Sequence, residues 1–428
     1  MGSKKSKPSL ISYVLSLMPQ APSLPTPVSE APAADSNRAI VSPMPAPRDI
    51  AFDVVKGISI LEVMIHHSTS HSARKYTVEG SFEWWSLILI NRILHFAVPV
   101  FIFISALLLA RSLVKADRPN WRRFALRRAS RSLWPYLLWT VAYVFFRALI
   151  IKTGSDMVTY TWNLPLIGEV SGPMVLLDPR EWVRNILWGR GYFHLYFMSI
   201  LLQLSIAFPL VLLAAKKIKT FGHSVIAAAL AQFAVYLLQK YWWGFANPGS
   251  LILWYLPPVV IGAWAGAHWD QFKEAVNKNW WPIVSFAALG GVAYVFISIE
   301  ILLGHPVNTM LYNLAISCYT MGMALILVAK AKQLASLRIG PTLAKFGRIS
   351  LVLFLIHPML LYLSGGPRLS GLLSKLPLAP VWAFAILLTV SVLAAKFIIW
   401  LKADLVLFGQ KFQTSLANAR TTPQAQNA

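Results

Sequence analysis

The first apolar segment of the chain, residues 50–70, contains five titratable side chains: Asp53, Lys56, Glu62, His66 and His67. An ionised group at the centre of a membrane-spanning helix costs about 2.5–3.5 kcal/mol on insertion scales, so such groups face a cavity or the protein interior and indicate function. A neutral imidazole can accept a proton from a hydroxyl or an amine near neutral pH. The segment therefore predicts general-base chemistry inside a membrane.

Helical geometry divides these five residues into two sets. Lys56 and His67 differ by about 20° around a helix and by roughly 16 Å along it. Asp53 precedes Lys56 by one turn, which predicts an ion pair that lowers the cost of burying both charges. Glu62 and His66 lie on another face, where they can form a second pair. We expect Asp53, Lys56 and His67 to form the functional face, with His67 as the base.

Two more histidines lie inside apolar segments, His194 in GYFHLYFMSILLQL and His357 in GRISLVLFLIHPML. Each of them also fits a buried core histidine, and a histidine at the end of a span also fits a residue that meets lipid headgroups. In the topology predicted below, both are level with His67, which favours a shared pocket. Three histidines can bind a metal ion, but we expect no metal here.

The composition is that of an integral membrane protein. Of the 428 residues, 57% are hydrophobic and 13% are charged. The formal net charge is +23, but the basic residues lie in short loops between apolar runs, where they report membrane topology rather than a nucleic-acid partner. With about 20 residues for each crossing, the predicted fold is all-α, a polytopic membrane bundle of about ten transmembrane helices, near residues 50–70, 86–110, 132–152, 193–214, 223–241, 249–269, 280–302, 309–330, 347–364 and 377–402.

The flanking segments complete the predicted domain organisation. Repeated prolines in residues 1–47 predict a disordered N-terminal tail, residues 48–402 form the membrane domain, and residues 403–428 form a short polar tail. The loop between the second and third spans has eight basic residues and one acidic residue, so it is cytoplasmic by the positive-inside rule. An even number of spans then places both termini in the cytoplasm. The longest outer loop, residues 153–192, can form a partial lid over a site.

The cytoplasmic loop contains WRRFALRRASRSLWPY, in which Arg128 and Arg131 are one turn apart and Arg127 is adjacent. Arginines at this boundary commonly contact lipid headgroups. Their density also fits a guanidinium clamp for the phosphates of a nucleotide-like donor.

Five segments together resemble the acyltransferase-3 family of integral membrane acyltransferases. They are RDIAFDVVKGISILEVMIHH, VPVFIFISALLLAR, RRASRSLWPYLLWT, FHLYFMSILLQL and GRISLVLFLIHPML, within residues 48–402. The family's basic residue and histidine, separated by ten residues, correspond to Lys56 and His67, with lysine in place of the usual arginine. Its Arg-x-x-Arg corresponds to Arg128 and Arg131, and its later histidines correspond to His194 and His357. Ala106 stands where the family usually has glycine.

The resemblance implies transfer of an acyl group, most often acetyl, from cytoplasmic acyl-CoA to a hydroxyl of an envelope carbohydrate or glycolipid at the outer face of the plasma (inner) membrane. The arginines would hold the donor phosphates, and His67 would either deprotonate the acceptor or carry the acyl group. Buried Asp, Lys, Glu and His residues also fit a proton-coupled transporter. The sequence shows no paired halves of the kind that many transporters have. It leaves the acceptor, the acyl chain and the oligomeric state open.

Overall fold

A computed structural model of the chain describes residues 50–116, 120–152, 158–164 and 168–412. The predicted N-terminal tail, residues 1–47, lies outside the described residues, as do residues 413–428 of the predicted C-terminal tail. The first helices are α1 (Ala51–Tyr76), α2 (Phe82–Ile93), α3 (Ala97–Lys115), α4 (Trp121–Arg128) and α5 (Trp134–Phe146). Two π-helical turns, Ala129–Leu133 and Arg147–Ile151, join α4 to α5 and extend α5.

The outer loop that the sequence predicts as a partial lid has its own structure. Strands β1 (Thr159–Leu164) and β2 (Gly168–Pro173) form an antiparallel hairpin. Two short helices, α6 (Met174–Leu177) and α7 (Pro179–Leu187), then lead back to the bundle. Asp178 caps α7, where its side chain accepts a hydrogen bond of 2.8 Å from the backbone N–H of Arg180. The helices α6 and α7 pack against the end of α5, where Val175 and Trp182 cover Val144 and Ala148.

The remaining chain is helical throughout its described part. The long helices are α8 (Tyr196–Lys217), α9 (Phe221–Leu238), α10 (Leu256–Ala267), α12 (Trp280–Leu302), α13 (Thr309–Ala329), α16 (Ser350–Ser364) and α18 (Ala379–Trp400). A π-helical turn, Gln239–Trp243, extends α9, and two 3₁₀ turns, Pro248–Ser250 and Ile252–Tyr255, precede α10. The short helices between them are α11 (Trp269–Lys278), α14 (Ala331–Ser336), α15 (Gly340–Arg348), α17 (Pro367–Leu373) and α19 (Asp404–Phe408).

The polytopic helical bundle predicted from the sequence is confirmed. Among the described residues, seven helices are long and apolar enough to cross a membrane, or eight if the bent pair α15 and α16 forms one span. The other two predicted segments correspond to α1 and to the helical stretch Ile252–Ala267. The first is long enough but holds several charged residues, and the second is short. The total of ten crossings stays a prediction.

Small residues let the central helices approach closely. A Cβ atom at Gly57 in α1 would overlap the carbonyl oxygen of Leu343 in α15, and one at Gly347 would overlap the carbonyl oxygen of Asp53. In the same way α10 presents Gly262 and Gly266 to the backbone of α3. This spacing of small residues is typical of tightly packed membrane helices. It fixes α1, which holds the candidate base, against its neighbours.

Ala106 does not prevent close packing of α3. Its side chain is fully buried, and its Cβ lies 3.2 Å from the position that a Cβ would take on Gly262. The glycine that allows the approach is therefore on α10, the partner helix.

Candidate functional site

Three of the histidines singled out by the sequence come together from three helices or their ends. The ring of His67 in α1 stacks on that of His357 in α16, with centroids 5.6 Å apart and planes 23° apart. The ring of His194, which lies just before α8, is 6.1 Å from His357. Phe193 packs its edge on His67, with centroids 4.8 Å apart. The structure therefore places His67, His194 and His357 in one cluster, as their predicted depths suggest.

The hydrogen bonds of His357 define its proton position. Its Nδ1 lies 2.9 Å from the carbonyl oxygen of Leu353. Because a carbonyl oxygen only accepts, Nδ1 carries the proton and Nε2 has a free lone pair. Nε2 is buried and has no hydrogen-bond partner among the described residues, and the same holds for both ring nitrogens of His194. The cluster thus presents buried imidazole nitrogens without hydrogen-bond partners among the described residues.

A cavity of about 310 Å³ lies beside the cluster. Its wall includes His67 and His194, and also Glu62 and His66 from α1. His67 is half-buried, so its ring is accessible from this cavity, whereas His357 is fully buried behind it. We call this space, lined by Glu62, His66, His67, His95 and His194, the histidine cavity. Its size suits a small acyl group or part of a larger ligand.

The predicted pair between Glu62 and His66 is not among the ion pairs of the described residues. His66 instead directs Nδ1 to the carbonyl oxygen of Asn91 in α2, at 2.9 Å. Glu62 is buried, and its Oε2 has no hydrogen-bond partner among the described residues. The two side chains share the cavity wall, but His66 has its partner in another element. Helical spacing alone could not show this competing partner.

His95 belongs to the same cavity and was not singled out from the sequence. Its ring lies 5.0 Å from that of His66, which in turn lies 5.2 Å from His67. His95 occupies the break between α2 and α3, which the sequence analysis treats as one uninterrupted span. The sequence feature that could have identified His95 is the polar interruption between two apolar runs, which contains Arg92 and His95.

Asp53 and Lys56 form the predicted ion pair, with 3.2 Å between Lys56 Nζ and Asp53 Oδ1. The Asp53 side chain is buried, while that of Lys56 is 28% exposed. Neither residue lines the histidine cavity. Lys56 lies roughly 16 Å from His67 along α1. The three residues predicted to form one functional face therefore do not form one site: His67 lines the histidine cavity, and the ion pair lies outside it.

A second pocket, of about 580 Å³, lies beside α4 and the π-helical turn that follows it and has a basic wall. Arg123, Arg127, Arg131 and Lys411 line it, and its lining includes no acidic residue. We call it the basic pocket. It includes two of the three arginines predicted to hold the donor. The third, Arg128, is not part of this wall; its guanidinium lies 5.7 Å from the centre of the Phe124 ring.

The C-terminal segment completes the basic pocket. Trp139 in α5 donates a hydrogen bond of 3.0 Å to the carbonyl oxygen of Leu407, and Ser130 donates one of 3.0 Å to that of Gly409. Phe408 stacks on Trp139, with ring centroids 5.8 Å apart. Residues 404–412 are therefore docked on the bundle, whereas the sequence analysis includes them in a polar tail. For this reason, Lys411 was not identified from the sequence as a residue of the basic pocket.

A third pocket, of about 750 Å³, lies at the opposite end of the α4–α5 helix from the basic pocket. Arginine and aromatic side chains line it, among them Arg147, Arg190, Trp188, Tyr192 and Phe193. We call it the arginine–aromatic pocket. It shares Tyr196, Gly249 and Tyr255 with the histidine cavity. The two spaces are therefore neighbours, with Phe193 between the pocket and His67.

The described residues contain no group of three or more His, Cys, Asp or Glu side chains arranged to hold a metal ion. His67 and His71 have the i, i+4 spacing that helical metal ligands often show. His71, however, lies against Gly365 near the end of α1 rather than in the histidine cavity.

Comparison with known proteins found one informative match. Neither the curated proteins nor the solved structures include a significant match to this chain. A family model described as an acyltransferase domain matches residues 49–401. The match spans the whole described bundle from α1 to α18 and covers most of the chain. The protein therefore belongs to the acyltransferase-3 family and is an integral membrane acyltransferase.

Proposed function

We propose that this protein is an O-acyltransferase that moves an acyl group, most often acetyl, from cytoplasmic acyl-CoA to a hydroxyl of an envelope carbohydrate or glycolipid. The observation that carries the proposal is that His67, on which the buried His357 stacks, lies at the wall of the histidine cavity. An imidazole that is accessible from one side and supported by a second imidazole is suited to take a proton from a hydroxyl.

The basic pocket supports the donor part of the proposal. Its four cationic side chains fit the phosphates of acyl-CoA, because guanidinium groups bind phosphate oxygens through paired hydrogen bonds. Arg131 and Tyr143 are roughly 18 Å apart along their helix, and the Tyr143 ring lies 4.8 Å from that of His194. An extended pantetheine arm would follow this helix toward the histidine cavity.

The chemistry balances in either of two routes. In the first, His67 accepts the hydroxyl proton while the oxygen attacks the thioester carbonyl, and the departing CoA thiolate takes that proton. In the second, His67 attacks the thioester and CoA leaves as the thiolate; the acceptor hydroxyl then attacks the acyl-imidazolium, His67 is freed, and the hydroxyl proton passes through His67 to the CoA thiolate. His357 Nε2 keeps a free lone pair next to His67 without bonding to it, so it is available to a proton displaced in either route. His194 closes the far side of the cluster.

The positive-inside rule supports the orientation that this reaction needs. It places the basic pocket and both termini on the cytoplasmic side of the plasma (inner) membrane. The arginine–aromatic pocket then opens outward, where an envelope acceptor resides. The lipid bilayer is the remaining partner, and the proposal includes no nucleic acid and no metal.

A transfer assay tests the proposal. Purified protein in proteoliposomes receives acetyl-CoA labelled in the acetyl group, together with the envelope polysaccharide fraction of its source. We expect time-dependent transfer of label to polysaccharide, stable to washing and released by mild base, as an ester is. Label that stays in acetyl-CoA with every carbohydrate fraction would contradict the proposal.

A proton-coupled transporter is the second candidate, because of one observation. The rings of His95, His66, His67 and His357 follow one another at 5.0, 5.2 and 5.6 Å, as the groups of a proton relay would. This candidate predicts solute uptake driven by a pH gradient in proteoliposomes without acyl-CoA. The absence of such uptake, together with acyl transfer, would exclude it.

A further inference from the structure

One side of α13 gives the histidine cavity a polar wall. Tyr312, Asn313, Ser317 and Thr320 of this helix line the cavity, together with Ile316. At 100° for each residue, these five positions fall within an arc of about 140° around the helix. Four of the five side chains can form hydrogen bonds, so α13 presents a polar face to the cavity.

The opposite side of α13 has the composition that lipid requires. Met310, Leu311 and Leu314 are exposed, and they lie within an arc of about 100° on the other side of the helix. The helix is long and apolar enough to cross a membrane, and polar side chains in such a helix commonly face a pathway or a cavity. The polar residues of α13 therefore belong to the cavity rather than to the lipid-facing surface.

Two amides at this wall are oriented by backbone contacts, and each keeps one unused group. Gln232 in α9 also lines the cavity. Its Oε1 accepts a hydrogen bond of 3.2 Å from the N–H of Leu256, which leaves Nε2 as a donor. Asn313 donates Nδ2 to the carbonyl oxygen of Thr309 at 2.7 Å, which leaves Oδ1 as an acceptor. Neither unused atom is among the fully buried polar atoms that lack a partner, so each has surface that a ligand can reach.

The hydroxyl of Ser317 is also unused. A helical serine or threonine commonly donates to the carbonyl four residues earlier, as Thr320 does to Ile316 at 2.8 Å. Ser317 makes no hydrogen bond within the described part of the chain, and its hydroxyl is not fully buried. The wall thus offers a donor, an acceptor and a hydroxyl, and these complement the hydroxyls of a sugar, which both donate and accept.

The histidine cavity does not suit an anionic group. Its lining residues include Glu62 and four histidines, but no lysine or arginine. A carboxylate or phosphate in this space would lie in a partly buried site without a cationic partner, which is costly. The ring of Trp254 adds apolar surface to the lining. A volume of about 310 Å³ is near the lower end of the range for small-molecule sites, about 300–1,000 Å³, and suits one ring rather than a length of polysaccharide.

We propose that α13 and Gln232 form the acceptor subsite of the histidine cavity, which binds one uncharged sugar ring through Gln232, Asn313 and Ser317. The inference rests on the proposed function and names the acceptor class and the residues that select it. In the predicted topology α13 begins on the outer side of the membrane. The ring would enter from the arginine–aromatic pocket, past the shared residues Tyr196 and Tyr255.

Equilibrium binding without acyl-CoA tests this inference independently of the reaction. The full-length protein in phosphatidylcholine nanodiscs is titrated with the methyl glycosides of glucose, galactose and mannose, and with those of the three corresponding uronic acids. Saturation-transfer NMR measures each dissociation constant. We expect at least one neutral glycoside to bind, and to bind at least about tenfold more tightly than its uronic acid, because the carboxylate would be left without a partner. Equal or tighter binding of the uronic acid, or no binding of any neutral glycoside, would overturn the inference.

Matched variants locate the binding. Ser317→Ala, Asn313→Leu and Gln232→Leu are each expected to raise the dissociation constant of the neutral glycoside by about three- to tenfold, since each removes a hydrogen bond. Cys318→Ala is the control for Ser317→Ala, because it removes one heavy atom from the next residue of the same helix, which does not line the cavity. It should bind as the wild type does. Ser317→Ala also keeps the test independent of whether the larger changes at Asn313 and Gln232 allow folding.

Three further outcomes would decide between the alternatives. Wild-type binding by all three wall variants would leave this wall to ordered water and overturn the inference. Equal weakening by Ser317→Ala and Cys318→Ala would do the same, since it would reflect a general disturbance of α13. If neutral glycosides bind as expected but no acyl transfer is found in the proteoliposome assay, the proposed function fails while the sugar site stands. Acyl transfer that does not depend on the wall residues gives the opposite result.

Discussion

The imidazole of His357 stacks on that of His67 at 5.6 Å, while its own Nδ1 donates to the carbonyl oxygen of Leu353. This relationship joins α16 to α1 through two rings of the same type. The fixed tautomer of His357 leaves a lone pair on its Nε2, which has no partner among the described residues and is available to a proton beside His67. The pair explains why two histidines 290 positions apart in sequence serve one site.

His357 is expected to act as a positioning residue rather than only a packing residue. His357→Phe keeps a flat ring beside His67 but removes Nε2, whereas His357→Ala removes both. We expect kcat to fall about tenfold or more in each variant with KM for acetyl-CoA unchanged, and only His357→Ala to lower the melting temperature clearly. If His357→Phe retains full kcat, the role of His357 is packing alone.

The basic pocket is expected to determine donor affinity. Arg127→Gln and Arg131→Gln should each raise KM for acetyl-CoA by about three- to tenfold, because each removes a guanidinium from the pocket wall, while kcat changes little. Arg122→Gln is the matched control, since Arg122 lies in the same helix but does not line the pocket. The KM effect should shrink as salt rises. Equal effects of all three variants would show that only net charge matters.

The docked C-terminal segment is expected to support the same pocket. Gly409 has φ of +63°, and a Cβ there would overlap the carbonyl oxygen of Ser130. Gly409→Ala should therefore displace residues 409–411, raise KM for acetyl-CoA and destabilise the protein by about 1–3 kcal/mol.

Gly371→Ala is the matched control for that substitution, because a Cβ at Gly371 would meet open space. Steady-state kinetics and thermal unfolding of both variants provide the measurement. If Gly409→Ala has the donor KM of the wild type, the segment does not form part of the donor site.

The contact between α1 and α15 is expected to be sensitive to a single methyl group. Gly57→Ala places a Cβ against the carbonyl oxygen of Leu343, so the two helices must separate at a cost of about 1–3 kcal/mol. We expect a lower melting temperature and reduced kcat, since α1 also positions His67. An unchanged melting temperature relative to Gly371→Ala would contradict this packing.

Much of the fold could be predicted from the sequence because lipid imposes a simple rule on it. A span must be about 20 residues long and mostly apolar, and each of the ten predicted segments corresponds to a helix or a helical pair. Breaks within segments are harder to predict. The segments that contain the turns at His95, between α2 and α3, and at Ile349, between α15 and α16, are still apolar enough to count as spans, yet the second pair is bent by 74°.

The candidate site could be predicted only in part, because the pattern along one helix does not show which other elements pack against it. Helical periodicity places residues on faces of one helix, and it correctly paired Asp53 with Lys56. It does not show which other element approaches each face, so it could not predict that Asn91 takes the hydrogen bond of His66. Arg123, Arg127 and Arg131 follow one another at intervals of four residues and line one pocket, as residues on one helix face do, whereas the sequence analysis grouped Arg131 with Arg128.

The central claim is that His67 performs the proton or acyl transfer, and one comparison tests it most directly. The rate of acetyl transfer from labelled acetyl-CoA is measured for the wild type, His67→Ala and His223→Ala, with equal amounts of folded protein. His223 is the control because it is a histidine on α9, hydrogen-bonded to Thr220 and outside the histidine cavity. We predict a loss of about 10²-fold or more for His67→Ala and wild-type rates for His223→Ala. Transfer by His67→Ala within about twofold of the wild type would contradict the account.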